Sequence, residues 1–285
     1  MAELQIKTAT PADFSVAIDW AAAEGWNPGL DDLGPFHAAD PEGFLMAYLD
    51  DEPVASVSVV RYGDSYGFLG FYIVKPESRG QGYGWQIWQA GLRHLSNRVV
   101  GLDGVVAQQD NYRKSGFDPA GRNVRYTGAL RDFAAQSSIE VQSVAMETID
   151  KVIGYDRQFF PDDRKGFMRQ WLQPSSSVRR WSAAAINGTE ILGFGVVRQC
   201  HNGYKFGPLF AERQDIAESL LSGLGQSLPP GTTITIDVPE DNRAAIVMVE
   251  SYGLEATSET ARMYKGLKPS LPIERTFGVT TFELG

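Results

Sequence analysis

Apolar and polar residues alternate over short runs in the first half of the chain, a pattern typical of β-strands. Residues 44–49 and 54–62 flank the polar segment Asp50–Pro53, which predicts a hairpin, and a glycine-interrupted strand follows over residues 66–74. A helix is predicted before these strands, from Ala12 to Glu24. A helical stretch, another strand, a short helix and a last strand come after them. Antiparallel strands followed by a strand–helix–strand crossover predict a mixed α/β unit and not a doubly wound sheet.

The second half repeats this order of elements. Residues 181–186 and 190–198 flank Asn187-Gly188, a strong signal for a hairpin turn, and residues 204–210 form the next predicted strand. Three identical pairs lie 137 positions apart: Arg61 and Arg198, Gly70 and Gly207, and Gly116 and Gly253. We therefore predict two tandem domains, each a mostly antiparallel central sheet flanked by helices. The predicted domains cover residues 1–132 and 139–285, with a polar linker over residues 131–138.

The composition limits the possible functions. Hydrophobic residues make up 43% of the 285 residues, as in ordinary globular proteins, and no apolar stretch approaches the roughly 20 residues of a membrane helix. The N-terminus lacks a basic segment followed by an apolar run, so we expect a cytoplasmic protein without a membrane partner. A formal charge of −9 without a Lys/Arg run disfavours nucleic acid and suits a cationic substrate such as an amine. The single cysteine, Cys200, excludes an internal disulfide and disfavours a thiolate zinc site, and we predict no metal.

A glycine-rich turn between a strand and a helix is the most informative segment. It runs from Arg79 to Gly84, directly after an apolar strand and Pro76. Glycines let backbone N–H groups converge on an anion, and the N-terminus of the helix adds a partial positive charge, so the ligand should carry phosphate. The G-x-G-x-x-G spacing of dinucleotide sites is absent, because Trp85 and Ile87 stand where the last glycine would be. The Gly-Lys-Ser/Thr of a P-loop is absent too.

The remaining pattern, Arg-x-x-Gly-x-Gly at Arg79, Gly82 and Gly84, resembles the pyrophosphate loop of the GNAT N-acetyltransferase superfamily, whose donor is acetyl-CoA. Residues Asn111–Phe117 resemble the family's Tyr-x-x-x-Gly-Phe element, and the whole chain looks like a two-domain bacterial GNAT protein. The resemblance implies an N-acetyltransferase that moves an acetyl group from acetyl-CoA to a primary amine of a small molecule or peptide, by direct attack in a ternary complex. The implied donor contacts are Phe71, Tyr72, Ile73, Val74, Arg79, Gly80, Gln81, Gly82, Tyr83, Gly84, Asn111 and Tyr112.

Tyr112 is the candidate general acid. In the family this tyrosine faces the CoA sulfur, and a phenol with a pKa of about 10 can protonate a departing thiolate whose thiol has a pKa of about 8.5. In the family, oxyanion support comes from a backbone N–H on the fourth strand, which corresponds to residues 68–74 here. The structural alternative is a tyrosine that packs beside the helix end at Gly116.

The acceptor amine also needs a base, because an alkylamine has a pKa of about 10.4. No carboxylate occurs between Tyr66 and Val74, where some family members carry a glutamate. The family's acceptor wall, after the first helix, corresponds to Glu24, Trp26 and Asn27. We predict that Glu24 is the base and that all three bind the acceptor, with Asp110 as a weaker candidate base; the alternative is a helix end at Gly25 and a core tryptophan.

The second copy has lost these features. The positions 137 residues after Arg79, Gly82, Gly84 and Tyr112 are Ile216, Ser219, Leu221 and Val249. We therefore predict that the C-terminal domain is a degenerate GNAT-like domain without a donor site. A non-catalytic acyl-CoA-binding sensor or interaction protein is the alternative function, because the fourth strand lacks a carboxylate and the second copy lacks the site.

Overall fold

The computed structural model describes residues 3–129, 139–175 and 177–285. The whole predicted linker, residues 131–138, therefore lies outside the described residues. The first half forms β1 (Leu4–Thr8), α1 (Pro11–Ala23), α2 (Leu33–Ala39), β2 (Phe44–Leu49), β3 (Glu52–Tyr62), β4 (Tyr66–Val74), α3 (Tyr83–His94), β5 (Val99–Val105), α4 (Gln109–Lys114) and β6 (Asp118–Ala129).

The second half repeats this order and adds one strand at its end, which confirms the predicted duplication. It forms β7 (Glu140–Ser143), α5 (Ile149–Asp156), α6 (Lys165–Trp171), β8 (Arg180–Asn187), β9 (Glu190–Gln199), β10 (Tyr204–Ala211), α7 (Gln214–Gly225), β11 (Thr233–Pro239), α8 (Arg243–Ser251), β12 (Glu255–Lys265) and β13 (Thr276–Gly278). Short 3-10 turns cover Pro76–Ser78, Val106–Gln108 and Ile273–Arg275.

The strands form one continuous sheet in the order β1-β2-β3-β4-β5-β12-β6-β11-β10-β9-β8-β7, with β13 beside β10. The pairs are antiparallel except β4 with β5 and β10 with β11. Each half contributes one strand to the sheet of the other. β12 of the second half pairs with β5, and β6 of the first half pairs with β11. The sheet of the first half is thus completed by residues from the second.

The two halves also share an apolar core on one face of the sheet. Phe36 of α2 stacks on Trp171 of α6 with ring centroids 5.9 Å apart, and both side chains are fully buried. Phe14 of α1 packs edge-on against Phe71 of β4 in the same cluster. A second cluster packs α3 against the opposite face of the first half. Burial of aromatic rings from both halves stabilises their relative position.

A bulge in β4 opens the sheet. The register with β3 shifts between Ser56 and Ser58, and Phe71 on β4 has a φ of +44°. The hydroxyl of Ser56 donates to the carbonyl of Phe71 at 2.8 Å, which stabilises this unusual backbone. Parallel pairing between β4 and β5 ends at Leu69 and Leu102, so the two strands diverge beyond the bulge. The gap between them, referred to below as the wedge, lies at the centre of the first half.

Residues 276–285, referred to below as the tail, occupy the corresponding gap in the second half. Parallel pairing of β10 with β11 ends at Phe206, and β13 then pairs with Leu209 and Phe210 of β10. The N–H of Val279 donates to the carbonyl of Asp237 on β11 at 2.9 Å. β13 therefore lies between the ends of β10 and β11.

The repeated glycines Gly70 and Gly207 have a common steric reason. A Cβ atom on Gly207 would overlap the carbonyl oxygens of Val279 and Thr280, and one on Gly70 would overlap the carbonyl of Glu283. Both glycines thus make room for one tail, which crosses first the filled gap and then the wedge.

Candidate active site

The loop from Arg79 to Gly84 joins β4 to α3 beside the wedge. Gly80 and Gly82 have φ angles of +77° and +82°, a region that favours glycine, and a Cβ atom on either would meet no atom within 4 Å. Gly82 is the N-cap of α3 and has no side chain to cap the first turn. No side chain therefore caps the first N–H groups of α3, which is a condition for binding an anion at a helix N-terminus.

Gly84 serves the packing of α3 on β4. A Cβ atom there would lie 2.7 Å from the hydroxyl of Tyr72 and 2.8 Å from a methyl group of Val74. The glycine lets the start of α3 approach the strand that borders the wedge. The amide of Gln81 donates to the carbonyl of Glu77 at 3.2 Å, which supports the loop from within.

Arg79 anchors the loop to two other elements. Its Nε donates to the carbonyl of Val74 at 2.9 Å, and its Nη2 forms an ion pair with Glu24 at the end of α1. Glu24 was predicted to be the base. The structure gives its carboxylate a cationic partner in Arg79, and its role as the base stays a prediction.

A cavity of about 620 Å³ fills the wedge and extends beyond it. β4 and β5 supply its central walls, and Arg79 of the loop and Tyr112 of α4 also line it, whereas residues 80–84 do not. The second half supplies much of the opposite wall, through β12 and the tail. The lining residues include Glu24, Trp26, Leu69, Gly70, Phe71, Tyr72, Ile73, Val74, Arg79, Asp103, Tyr112, Arg125, Ser258, Glu259, Thr260, Phe282 and Glu283.

Tyr112 lies on α4 with its ring against β5. Its ring stacks on Trp88 of α3 with centroids 5.4 Å apart, and Gly104 permits this approach because a Cβ atom there would overlap the ring. Burial raises the pKa of Tyr112 well above its ordinary value, and nearby Tyr72 adds to the effect. The phenol therefore keeps its proton at neutral pH, as a proton donor must.

Three of the four carboxylates that line the cavity are paired with arginine. Glu24 pairs with Arg79, Asp103 with Arg262 at 2.6 Å, and Glu259 with Arg122 at 3.2 Å. The fourth, Glu283 in the tail, is 4% exposed, and its Oε2 has no hydrogen-bond partner among the described residues. Sequence analysis missed Glu283 because no local motif marks it.

The other predicted acceptor residues have different positions. Trp26 lines the cavity, and its carbonyl accepts a hydrogen bond from Arg125 at 2.9 Å. Asn27 does not line it, and its side-chain amide pairs with the backbone of Asn202 at 2.8 and 2.9 Å. Asn27 therefore joins the two halves, and its amide is not free for a substrate. Asp110 points to solvent and pairs with Arg113, which disfavours it as a base.

Asn111 also lies outside the cavity lining. Its amide donates to the side chain of Gln108 at 2.7 Å, within the turn that leads into α4. Gln108 itself lines the cavity, so Asn111 supports this wall from behind. Its predicted contact with the donor stays a prediction.

Sequence comparisons identify the family. The profile described as "Acetyltransferase (GNAT) family" matches residues 11–117, and the one described as "Acetyltransferase (GNAT) domain" matches residues 152–278. The holothin acyltransferase of Pseudoalteromonas sp. (strain SANK 73390) is 35% identical, over 100% of this chain and 97% of that protein. The chain belongs to the GNAT acetyltransferase family. It is an acyltransferase with two GNAT domains in tandem, so the sensor alternative is not carried forward.

Solved GNAT structures share the fold. A putative acetyltransferase from Pyrococcus horikoshii superimposes with a TM-score of 0.81 at 24% identity, over 99% of this chain and 96% of that chain. A tandem GNAT protein from the clavulanic acid biosynthesis pathway gives a TM-score of 0.63 at 12% identity, over 94% and 100% of the two chains. The mixed fold and the tandem arrangement predicted from the sequence are thus confirmed.

GNAT acetyltransferases generally use acetyl-CoA and act on amines. Among residues 3–129, 139–175 and 177–285, no three His, Cys, Asp or Glu side chains are grouped as a metal site would need. Across the same residues, the helices are too short or too polar to span a membrane.

Proposed function

We propose that the chain transfers an acetyl group from acetyl-CoA to a primary amine of a small molecule or peptide, by direct attack in a ternary complex. The observation that carries this proposal is the wedge, whose cavity is lined both by Arg79, in the loop before the uncapped N-terminus of α3, and by Tyr112. A donor with its pyrophosphate on the loop could extend its pantetheine arm along the unpaired edge of β4. Its thioester would then reach the middle of the sheet.

In this proposal the residues of the first half bind and activate the donor. The first turn of α3 holds the pyrophosphate, and main-chain groups of residues 70–74 bind the pantetheine arm and polarise the thioester carbonyl. Tyr112 donates a proton to the CoA thiolate as the C–S bond breaks. Cys200 is 3% exposed and does not line the cavity, which favours direct transfer over an acyl-cysteine intermediate.

We further propose one donor site per chain. In the second half, β13 fills the gap that would correspond to the wedge, and α7 carries buried Ile216 and Leu221 where a phosphate loop would need glycines. The second half instead contributes β12 and the tail to the acceptor side of the cavity.

Thiol release from acetyl-CoA tests the reaction directly. Holothin is the first acceptor to test, since the similar acyltransferase is named after it; tryptamine, spermidine, glycine and a lysine-containing peptide complete the panel. We expect amine-dependent release with at least one of them. No release with any amine, in protein that binds acetyl-CoA, would contradict catalysis on this class of acceptor.

The role of Tyr112 has its own test. Tyr112→Phe removes the proton donor but keeps the ring, so we expect kcat to fall by about 100-fold, the usual scale of general-acid catalysis. Affinity for acetyl-CoA should stay unchanged. Tyr48→Phe, on β2 and away from the cavity, is the matched control. Equal kcat values for Tyr112→Phe and wild type would exclude Tyr112 as the acid.

A further inference from the structure

The tail after β13 crosses from the second half to the wedge along a defined path. Arg164 donates to the hydroxyl of Thr280 at 3.0 Å and to the carbonyl of Gly285 at 3.3 Å. The hydroxyl of Tyr62 on β3 donates to the carbonyl of Leu284 at 3.0 Å. Glu283 lies between these anchors, and its backbone passes against Gly70 at the bulge of β4. The position of its carboxylate is therefore set by contacts on both sides.

This carboxylate has the properties of a base held ready for a cationic substrate. It lines the cavity, it is almost completely buried, and its Oε2 has no hydrogen-bond partner within the described part of the chain. An unsatisfied buried carboxylate oxygen is costly and is expected to have a functional reason. The other three carboxylates of the cavity wall are held by arginines. Among the described residues, Glu283 is thus the one carboxylate of the cavity wall that has no arginine partner.

Charged groups from three other strands surround it. Arg125 of β6, Arg198 of β9 and Lys205 of β10 all interact electrostatically with Glu283, as does the thiol of Cys200. Arg125 is paired with Asp237, and the Nε of Arg198 with Asp32, whereas Nη1 and Nη2 of Arg198 have no hydrogen-bond partner among the described residues. None of these cations forms an ion pair with Glu283 among the residues described, and its Oε2 has no hydrogen-bond partner there. The carboxylate can therefore accept a new cationic partner.

We propose that Glu283 is the general base of the transfer reaction and that the acceptor binds as an ammonium ion against it. This inference rests on the proposed function. The ammonium loses one proton to the carboxylate of Glu283, and the free amine attacks the thioester carbonyl carbon to form the C–N bond. As the C–S bond breaks, Tyr112 protonates the thiolate. The second proton of the amine restores the phenol of Tyr112, and the proton on Glu283 passes to solvent.

The pH dependence of kcat/KM tests this role. With a base present, an ammonium substrate reacts directly, so wild-type kcat/KM should be nearly flat between about pH 6.5 and 9. Glu283→Gln can use only amine that is already free. Its kcat/KM should be about 100-fold lower near pH 7 and should rise about tenfold per pH unit toward the amine pKa of about 10.4. The substrates are acetyl-CoA and the panel amine with the highest wild-type rate.

Two variants separate a base from a merely structural carboxylate. Glu283→Asp keeps the carboxylate, so its kcat/KM should fall less and its pH profile should stay flat. Glu274→Gln makes the same change at an exposed position just before β13 and should behave as wild type. Calorimetric titration with acetyl-CoA should give unchanged affinity in all three variants.

The outcomes distinguish this inference from the proposed function. If wild type turns over and Glu283→Gln has the same rate and the same flat profile, Glu283 is not the base and the proposed function stands. If Glu283→Asp shows the steep profile of Glu283→Gln, a carboxylate at this place is not what accepts the proton. If wild type binds acetyl-CoA but transfers to no amine, the proposed function fails and the base assignment with it.

Discussion

A Gly82→Glu variant is expected to lose donor binding while the protein stays folded. The residue has a φ of +82° at the N-cap of α3, and the space over it is open. A glutamate would place a negative charge where the pyrophosphate should bind. Close like charges cost several kcal/mol, and about 4 kcal/mol corresponds to an affinity about 1,000-fold lower. The measurement is the rise in melting temperature caused by acetyl-CoA, which should vanish in the variant.

Gly188→Glu is the matched control. Gly188 has a φ of +62° in the hairpin between β8 and β9, and it also has no atom within 4 Å of a Cβ atom. The two variants share the same backbone strain and the same added charge, but Gly188 does not line the cavity. We expect both to lose similar stability and only Gly82→Glu to lose the effect of acetyl-CoA. An equal effect in the two variants would exclude the loop as the pyrophosphate site.

Arg164→Leu should cause a large loss of stability. Arg164 and Asp156 form a two-point ion pair at 2.6 and 2.8 Å, and their side chains are 2% and 1% exposed. Removal of the arginine would leave a buried carboxylate without its counterion, which costs about 3–5 kcal/mol. Arg164 also holds the tail through Thr280 and Gly285, so catalysis should fall as well. Urea denaturation measures the loss in the free energy of unfolding.

Arg169→Leu controls for the loss of a charge. Arg169 pairs with Asp150 on the surface, where the two side chains are 43% and 71% exposed. Such pairs contribute about 0–1 kcal/mol, so this variant should stay close to wild type. A loss below about 1 kcal/mol for Arg164→Leu would mean that solvent reaches Asp156 and that the pair does not hold the tail.

Local patterns predict the elements of the first half and the glycine loop. Both hairpins follow from turn residues between alternating strands, and the first helix is predicted within one residue of its observed ends at Pro11 and Ala23. The glycine loop and the start of α3 depend on neighbouring residues alone, which is why a short motif describes them. The duplication is visible because the spacing of elements survives when their chemistry is lost.

The acceptor side depends on contacts between residues far apart in the chain. The hydroxyl of Ser58 and the carbonyl of Glu283 are 3.5 Å apart but 225 positions apart in sequence. The exchange of β6 and β12 between the halves is equally non-local, and no periodicity encodes it. A base predicted from local motifs therefore lies near them, at Glu24, which forms an ion pair with Arg79 in the structure.

The exchange also changes what the tandem arrangement means. β12 belongs to the second half but pairs along β5, and residues 258–260 line the cavity of the first. In the second half β13 fills the corresponding gap, and β12 and the tail extend to the first half. The second half thus supplies part of the wall of the cavity in the first half.

Calorimetric titration of the intact chain with acetyl-CoA tests the central claim most directly. The structure has one open wedge beside a glycine loop, and β13 fills the corresponding gap in the second half. We predict one molecule of acetyl-CoA bound per chain, and none in Gly82→Glu. Two molecules per chain, or one that persists unchanged in Gly82→Glu, would contradict the assignment of the donor site to this wedge.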